Sequence, residues 1–421
     1  MKYMGIWPEE RHWYLPSSYV ILIPVLMMLC FCCIPQTANI PVVYSDMYML
    51  VENLSMANIS ITISMLKTTI FWANGKSIKS LLKCMASDWN RRLSSSDRKI
   101  MTDIAKITRK TILTSTVAVN IMVIAYVVRY TFIAMYTDRK LFFHAYFPYD
   151  VKASPNIQLT VAAQLIGGIY AAGCYTAVDT FIAMLILHVC GQLTILKHDI
   201  MNLREDGDEK LRVVLGRIIE RHEYINASVL RNLRLHSYCH TYESRKKWIR
   251  FAGTIENCFN AMLLLQMLGC TLQLCFQCFQ VIMVRTMVPI YETNVEYDVW
   301  NNSEEIFELQ TFSDEDKNLM SVQISFLSIY VIYIMAQLYL YCYVGDRLTI
   351  EGRQIANAAY NCAWYNLSAN NARLLIIIMC RDLLPLRITA GRFCSFTLQL
   401  YSEILKRSMG YISVLYTMQN K

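Results

Sequence analysis

Apolar residues gather along the chain into seven stretches, set apart by polar segments of uneven charge. They cover Tyr19–Ile34, which Pro35 is expected to stop, then Met47–Trp72, Thr111–Tyr136, Leu159–Val189, Asn260–Val284 and Ser321–Val344. The last, Phe393–Met418, follows an interrupted start. Most approach the roughly 20 residues that a helix needs to cross a bilayer. Lipid offers no hydrogen bonds to peptide groups, so each stretch must satisfy its backbone internally, as a helix. The pattern predicts an all-α polytopic membrane protein with seven transmembrane helices. The first stretch is read as a retained span rather than a leader. Met1–Tyr14 is long, charge-balanced and contains Trp7 and Trp13, and no small-residue cleavage site follows Cys33.

The polar segments set an orientation. Residues 74–110 are strongly basic, with Asp88, Asp97 and Asp103 as their acids, and 191–250 is basic around Arg245, Lys246 and Lys247. Residues 345–392 hold six arginines and three acids. Residues 289–320 run the other way, from Glu292 to Asp316, with Lys317 as the single base. Basic loops stay cytoplasmic, so the pattern expects the N-terminus inside and the C-terminus outside. That is inverted relative to a G-protein-coupled receptor, and neither an Asp-Arg-Tyr cluster after span three nor an Asn-Pro-x-x-Tyr in span seven is present. No P-loop, His-Glu-x-x-His or Gly-x-Ser-x-Gly pattern supplies enzyme chemistry. The halves show no matching broken helices of a secondary transporter.

Composition agrees. The 421 residues are 55% hydrophobic and 17% charged, against about a quarter charged in soluble domains. The net charge of +8 therefore reads as membrane orientation, and no nucleic-acid partner is expected. The 15 cysteines fall mostly in apolar runs or cytoplasmic loops and read as small core side chains. Cys275-x-x-Cys278 has ligand spacing without a second pair, and His222, His236, Cys239 and His240 cluster in one loop. Neither is expected to bind metal, and no cofactor is implied.

The most specific signal lies near the C-terminal end. Tyr341-Cys342-Tyr343-Val344-Gly345-Asp346 is followed by Ala359-Tyr360-Asn361-Cys362-Ala363-Trp364-Tyr365. Then come Arg381-Asp382-Leu383-Leu384-Pro385-Leu386-Arg387-Ile388-Thr389-Ala390-Gly391, Phe396-Thr397-Leu398 and Tyr401-Ser402-Glu403-Ile404-Leu405-Lys406-Arg407-Ser408. This succession resembles the insect odorant receptor family. Weaker matches lie upstream at Asp179, His188-x-x-x-Gln192-x-x-x-Leu196, Arg221-His222 and Pro148-Tyr149-Asp150-Val151.

The resemblance implies a subunit of an odorant-gated, non-selective cation channel. It would bind a small apolar odorant and assemble with co-receptor subunits in a heterotetramer, in the plasma membrane of olfactory sensory neurons. Residues 1–344 would form the six-helix ligand-binding region, 345–392 a cytoplasmic anchor and 393–421 the pore-lining seventh helix. Tyr360, Trp364, Tyr365, Pro385 and Gly391 would belong to the anchor, where Pro385 must end the run 374–384. Tyr411, Val414 and Thr417 recur on one helix face, with Val414 at the position of an apolar gate that blocks ions by dewetting. The family pocket lies in the outer membrane half among spans two, three, four and six. Candidates there are Ile59, Tyr126, Tyr130, Tyr170, Tyr330 and Tyr333, although each residue type on its own is more often plain core. A gustatory receptor and a metabotropic seven-helix receptor are the alternatives. The first lacks its usual Thr-Tyr…Gln-Phe ending here, and the second is opposed by the charge pattern.

Charges inside spans call for partners or water. Lys67 and Arg129 lie near span ends, where snorkelling to the membrane surface is expected. Asp179 lies deeper and is expected in a buried pair or a hydrogen-bonded role. Lys406 and Arg407 fall mid-span and must be solvated. The chain departs from the family pattern at residues 226–249, an inserted polar stretch, and at the long segment 289–320. The latter carries the glycosylation sequon Asn301-Asn302-Ser303.

Overall fold

The computed structural model describes residues 5–7, 19, 21–90, 94–136, 141–151, 153–202, 251–301, 314–362, 364–366, 372, 375–376, 379 and 386–419, with the side chains of 56–57, 251–257, 285–301, 314–317, 411–412 and 414–419 left out. The inserted stretch 226–249, the histidines at 222, 236 and 240, the sequon serine Ser303 and Pro385 lie outside the described residues.

Helix α1 covers Leu22–Val43. It does not stop at Pro35. The turn before it, Met28–Cys33, widens into a π-helix, and the helix runs on as Ile34–Val43. A proline removes one amide donor and crowds the carbonyl four residues back. That carbonyl, Phe31 O, accepts from the Gln164 side chain at 3.4 Å, and Pro35 O accepts from Tyr146 N at 3.0 Å. Neighbouring segments thus satisfy what the proline frees, so the break expected from the sequence is not made.

Helix α2 spans 47–73 and also contains one π turn, Leu54–Asn58. Asp46 caps its start by accepting from Met49 N at 3.1 Å. Helix α3, Gly75–Asn90, is a polar connector that buries Ile78 and Leu81. Helix α4, Ser95–Tyr136, begins at a Ser94 cap on Asp97 N. The remaining long helices are α5, Asn156–Met201, α6, Phe251–Asn301, and α7, Asp314–Asn361. A short hairpin, β1 Thr389–Ala390 and β2 Cys394–Ser395, leads into α8, Leu398–Gln419. The last helix begins at Leu398 rather than Phe393, because Thr397 Oγ1 accepts from Leu400 N at 3.1 Å and caps it. Phe393 stands ahead of the helix, 85% exposed in the hairpin turn.

Among the described residues, five helices are long and apolar enough to cross a membrane, those in α1, α4, α5, α6 and α7, and α2 contributes the shorter apolar piece Ile59–Ala73. Helix α8 has the length but carries Glu403, Lys406 and Arg407.

Apolar character alone does not separate core from lipid-facing helices, because lipid is as apolar as leucine. The most apolar window of α5 is 89% buried, whereas that of α4 is 6% buried. Helix α5 is the central post of the bundle. Helix α4 turns Leu113, Val117, Ile121, Ile124 and Val128 outward along one face. The principal core joins α5 to α2, α6 and α7 around Phe71, Phe181, Phe259 and Tyr341.

The hairpin docks on α6. Gly391 N donates to Asn260 O at 3.4 Å, and its positive φ of 60°, shared by Arg392 at 64°, makes the tight turn. A side chain at 391 would also strike Leu264, so glycine is required for both backbone and space.

Candidate functional site

Helices α2, α4, α5, α6 and α7 diverge enough to leave a cavity of about 90 Å³ between them. Segment 141–151, which links α4 to α5, supplies Phe142 and Phe143 to its wall. These rings are 4.9 Å apart and pack with Tyr126, whose centroid lies 5.1 Å from Phe142 and 5.3 Å from Phe326. Met122, Val127, Leu165, Ile169 and Ile334 complete a largely apolar lining.

Two hydrogen-bonded sets of polar groups stand on the wall. Ser60 Oγ shares a 2.7 Å hydrogen bond with Tyr330 Oη and accepts from Gln273 Nε2 at 2.8 Å. Nearer the following turn of α7, Gln337 Nε2 donates to Tyr333 Oη at 3.1 Å, and Tyr333 Oη lies 3.3 Å from Thr176 Oγ1. Gln337 Oε1 is buried and has no hydrogen-bond partner.

Of the candidates expected from sequence, Tyr126, Tyr330 and Tyr333 line the cavity. Tyr130 packs behind the wall, 4.8 Å from Phe142, and Tyr170 is a half-buried packing residue beside it. Ile61, two residues past Ile59, takes the lining place on α2. Sequence reasoning passed over Phe142 and Phe143, which lie in a connector outside any span. It also passed over Ser60, Gln273 and Gln337, whose signal was a polar side chain inside an apolar run. Span five takes part through Cys270 and Gln273, beyond the four spans expected.

Two ion pairs bracket the cavity, and both correct the expectation of snorkelling. Lys67 is 0% exposed and pairs with Asp179 at 2.6 Å, while Arg129 is 1% exposed and pairs with Glu52 at 2.8 Å. The anionic partners sit on adjacent helices inside the bundle, so the cations turn inward. Lys67 Nζ also lies 3.5 Å above the Tyr175 ring, which lines the cavity. Asp179 Oδ1 accepts a second hydrogen bond from Tyr341 Oη at 2.5 Å, and the Tyr341 ring packs 5.6 Å from Phe396 ahead of α8. The expectation of a buried pair for Asp179 is met.

Tyr411, Val414 and Thr417 lie within the backbone of α8, with side chains outside the described set. Lys406 and Arg407 are exposed on the same helix. Tyr360, Trp364 and Tyr365 stand 64%, 48% and 72% exposed, the last two as an edge-to-face pair. Outside the membrane spans, burial pushes the Cys394 thiol above its ordinary pKa. Among the described residues, three potential metal-ligand atoms meet at Asp97, His198 and Asp199, all half-buried. Cys275 and Cys278 are not part of such a group.

The family model for 7tm Odorant receptor matches residues 46–292 and 306–409. The chain belongs to this odorant receptor family. Odorant receptor 13a of Drosophila melanogaster is 23% identical over 282 residues, 64% of this chain and 55% of that relative. Odorant receptor coreceptor of Aedes aegypti is 31% identical over 87 residues, 20% of this chain and 18% of the relative. The chain thus spans little more than half of the first of these odorant receptors and a smaller part of the co-receptor. The fold is similar to the insect olfactory receptor OR5 from Machilis hrabei in complex with eugenol. The TM-score is 0.74 at 13% identity, with 99% of this chain and 97% of that one covered. At that identity the likeness shows the fold, a seven-transmembrane odorant-receptor bundle. This member of the family is a multi-pass membrane protein.

Proposed function

We propose that this odorant-receptor chain is a ligand-gated cation channel subunit that binds a small apolar odorant in the cavity among α2, α4, α5, α6 and α7. The observation that carries the reading is the cavity itself. Its wall is aromatic and aliphatic, with a few placed polar groups, as sites for small apolar ligands are built. The structural relative, an insect olfactory receptor in complex with eugenol, supports a ligand of this class.

Residues 1–344 form the ligand-binding region in this reading, with the N-terminus cytoplasmic. Residues 345–392 form the anchor, packing through Tyr360, Trp364, Tyr365, Pro385 and Gly391. Helix α8 lines the pore with Tyr411, Val414 and Thr417 on its inner face and Val414 as gate. Lys406 and Arg407 then face the water of the pore vestibule. Co-receptor relatives among the sequence matches support assembly with co-receptor subunits into a heterotetramer in the membrane of olfactory sensory neurons. An agonist opens such a channel only if it binds the open state more tightly than the closed one.

Co-expression with an insect co-receptor in oocytes under voltage clamp tests this. Odorant-evoked currents that depend on both chains, and that Val414→Ala leaves partly open at rest, fit the proposal. Currents that need G proteins would sink it.

A further inference from the structure

We propose that the foot of α4 binds the headgroup of an anionic phospholipid, with Arg109 and Lys110 as the contacting cations. The outward stripe of α4, Leu113, Val117, Ile121, Ile124 and Val128, is 44–63% exposed. Followed toward the start of the helix at the same three- and four-residue spacing, it runs into Lys110, Lys106 and, two turns further, Lys99, all exposed. Arg109 and Arg98 flank this line and are exposed as well. One helix face thus passes directly from acyl-chain contact to cations. Its setting is fixed from behind. Met101 and Ile104 are buried on the opposite side, where a Cβ added at Gly191 of α5 would meet them at 3.2 and 3.4 Å. The cations cannot turn inward without losing that packing.

Depth selects the occupant. The headgroup layer outside the hydrocarbon is roughly 5–8 Å thick. Arg109 and Lys110 stand within about one turn of Leu113, where the apolar stripe ends, and so at headgroup level. Lys99 and Arg98 lie about 16 Å further along the axis, beyond that layer. Lys106 falls between and is held by Asp103 at 3.0 Å, which offsets its charge. Among the described residues, no carboxylate pairs with Arg109 or Lys110. Two such cations attract a headgroup of net negative charge, as basic residues beside a membrane span do. A zwitterionic headgroup gains little, because its own ammonium offsets its phosphate. The leaflet is the cytoplasmic one in the orientation proposed above, but the binding itself depends neither on that orientation nor on the reading of the cavity.

The test is native mass spectrometry of the full chain in neutral detergent micelles, titrated with phosphatidylserine or with phosphatidylcholine of the same acyl chains. The first bound lipid of each kind is resolved by mass. Phosphatidylserine should bind about tenfold or more tighter, the order of gain that two cations at a membrane surface supply. In the double variant Arg109→Gln, Lys110→Gln that preference should fall below about threefold. The double variant Arg98→Gln, Lys99→Gln removes the same charge from the same helix. Its cations lie beyond a Debye length from the headgroups, so the preference should stay within about twofold of wild type. Phosphatidylcholine binding in each variant reports that the lipid-facing surface is intact, and the wild-type comparison stands without any variant.

Equal binding of the two lipids by the wild type would overturn the site. A preference that survives the loss of Arg109 and Lys110 would do the same. So would an equal loss in the two double variants, since net charge rather than depth would then be the cause. If soluble glycerophosphoserine displaces phosphatidylserine at equal concentration, the ligand is a free phosphate ester and the lipid proposal fails.

Discussion

Lys67 Nζ lies 2.6 Å from Asp179 Oδ1, with both side chains wholly excluded from the surface. The pair joins α2 to α5, and Tyr341 on α7 closes on the same oxygen. One side of this triad carries Tyr175, in the cavity wall, and the other carries Phe396, ahead of α8. Packed groups therefore run without a break from the cavity to the start of the last helix.

Removing one member of the pair strands a charge in the bundle. Lys67→Met or Asp179→Leu alone should lower stability by about 3–5 kcal/mol, the usual penalty for breaking a buried pair. The double substitution should recover at least half of that loss, because no charge is left unpaired. Thermal unfolding of the detergent-solubilised chain, followed by fluorescence size-exclusion, reads both. A double variant no better than the worse single one would contradict the pairing.

Gly345 and Gly410 make a matched test of packing. A methyl at 345 would sit 2.5 Å from Phe396 O and 2.9 Å from its Cβ, whereas one at 410 meets nothing within 4 Å. Gly345→Ala should displace the approach to α8 and cost roughly 1–3 kcal/mol, as overpacking does. Gly410→Ala should be neutral or slightly stabilising, since alanine favours helix. Surface expression and melting of the two variants give the comparison.

Arg129 holds more than a charge. Its guanidinium bonds Glu52 at 2.8 Å and lies 5.3 Å from the Phe326 ring. Arg129→Lys should therefore fail to restore wild-type stability, because an ammonium lacks the planar fork and stacking face. Glu52→Gln should be milder than Glu52→Ala, since the amide oxygen still accepts. Melting temperatures that rank lysine with arginine would refute this.

Gly168 offers a way to fill the cavity without touching its polar groups. A Cβ there approaches Phe143 to 3.3 Å, and a longer chain would extend into the space. Gly168→Leu should raise the odorant concentration for half-maximal current about tenfold or more, a loss of roughly 1.4 kcal/mol of ligand binding, with surface level kept. A variant that reaches the surface and responds like wild type would remove this part of the wall from the ligand site.

The seven-transmembrane, all-helical character of the chain was legible in the sequence, because the bilayer forces every spanning backbone to satisfy itself locally. The C-terminal motif succession was legible for the same local reason, being read from consecutive residues, and so were Tyr126, Tyr330 and Tyr333 as aromatics at plausible depth. What neighbouring helices do for one another was not. Pro35 reads as a stop until Gln164, far along the chain, satisfies the carbonyl it frees. Lys67 and Arg129 read as snorkelling until Asp179 and Glu52 arrive on adjacent helices. Hydropathy could not rank α5 as the buried post above α4 at the lipid edge, since core and lipid select the same side chains. The cavity itself, with Phe142 and Phe143 folded in from a connector, exists only once five helices are packed together. Local chemistry decided what each segment becomes, and the tertiary structure decided which of its groups are satisfied and which remain for a ligand.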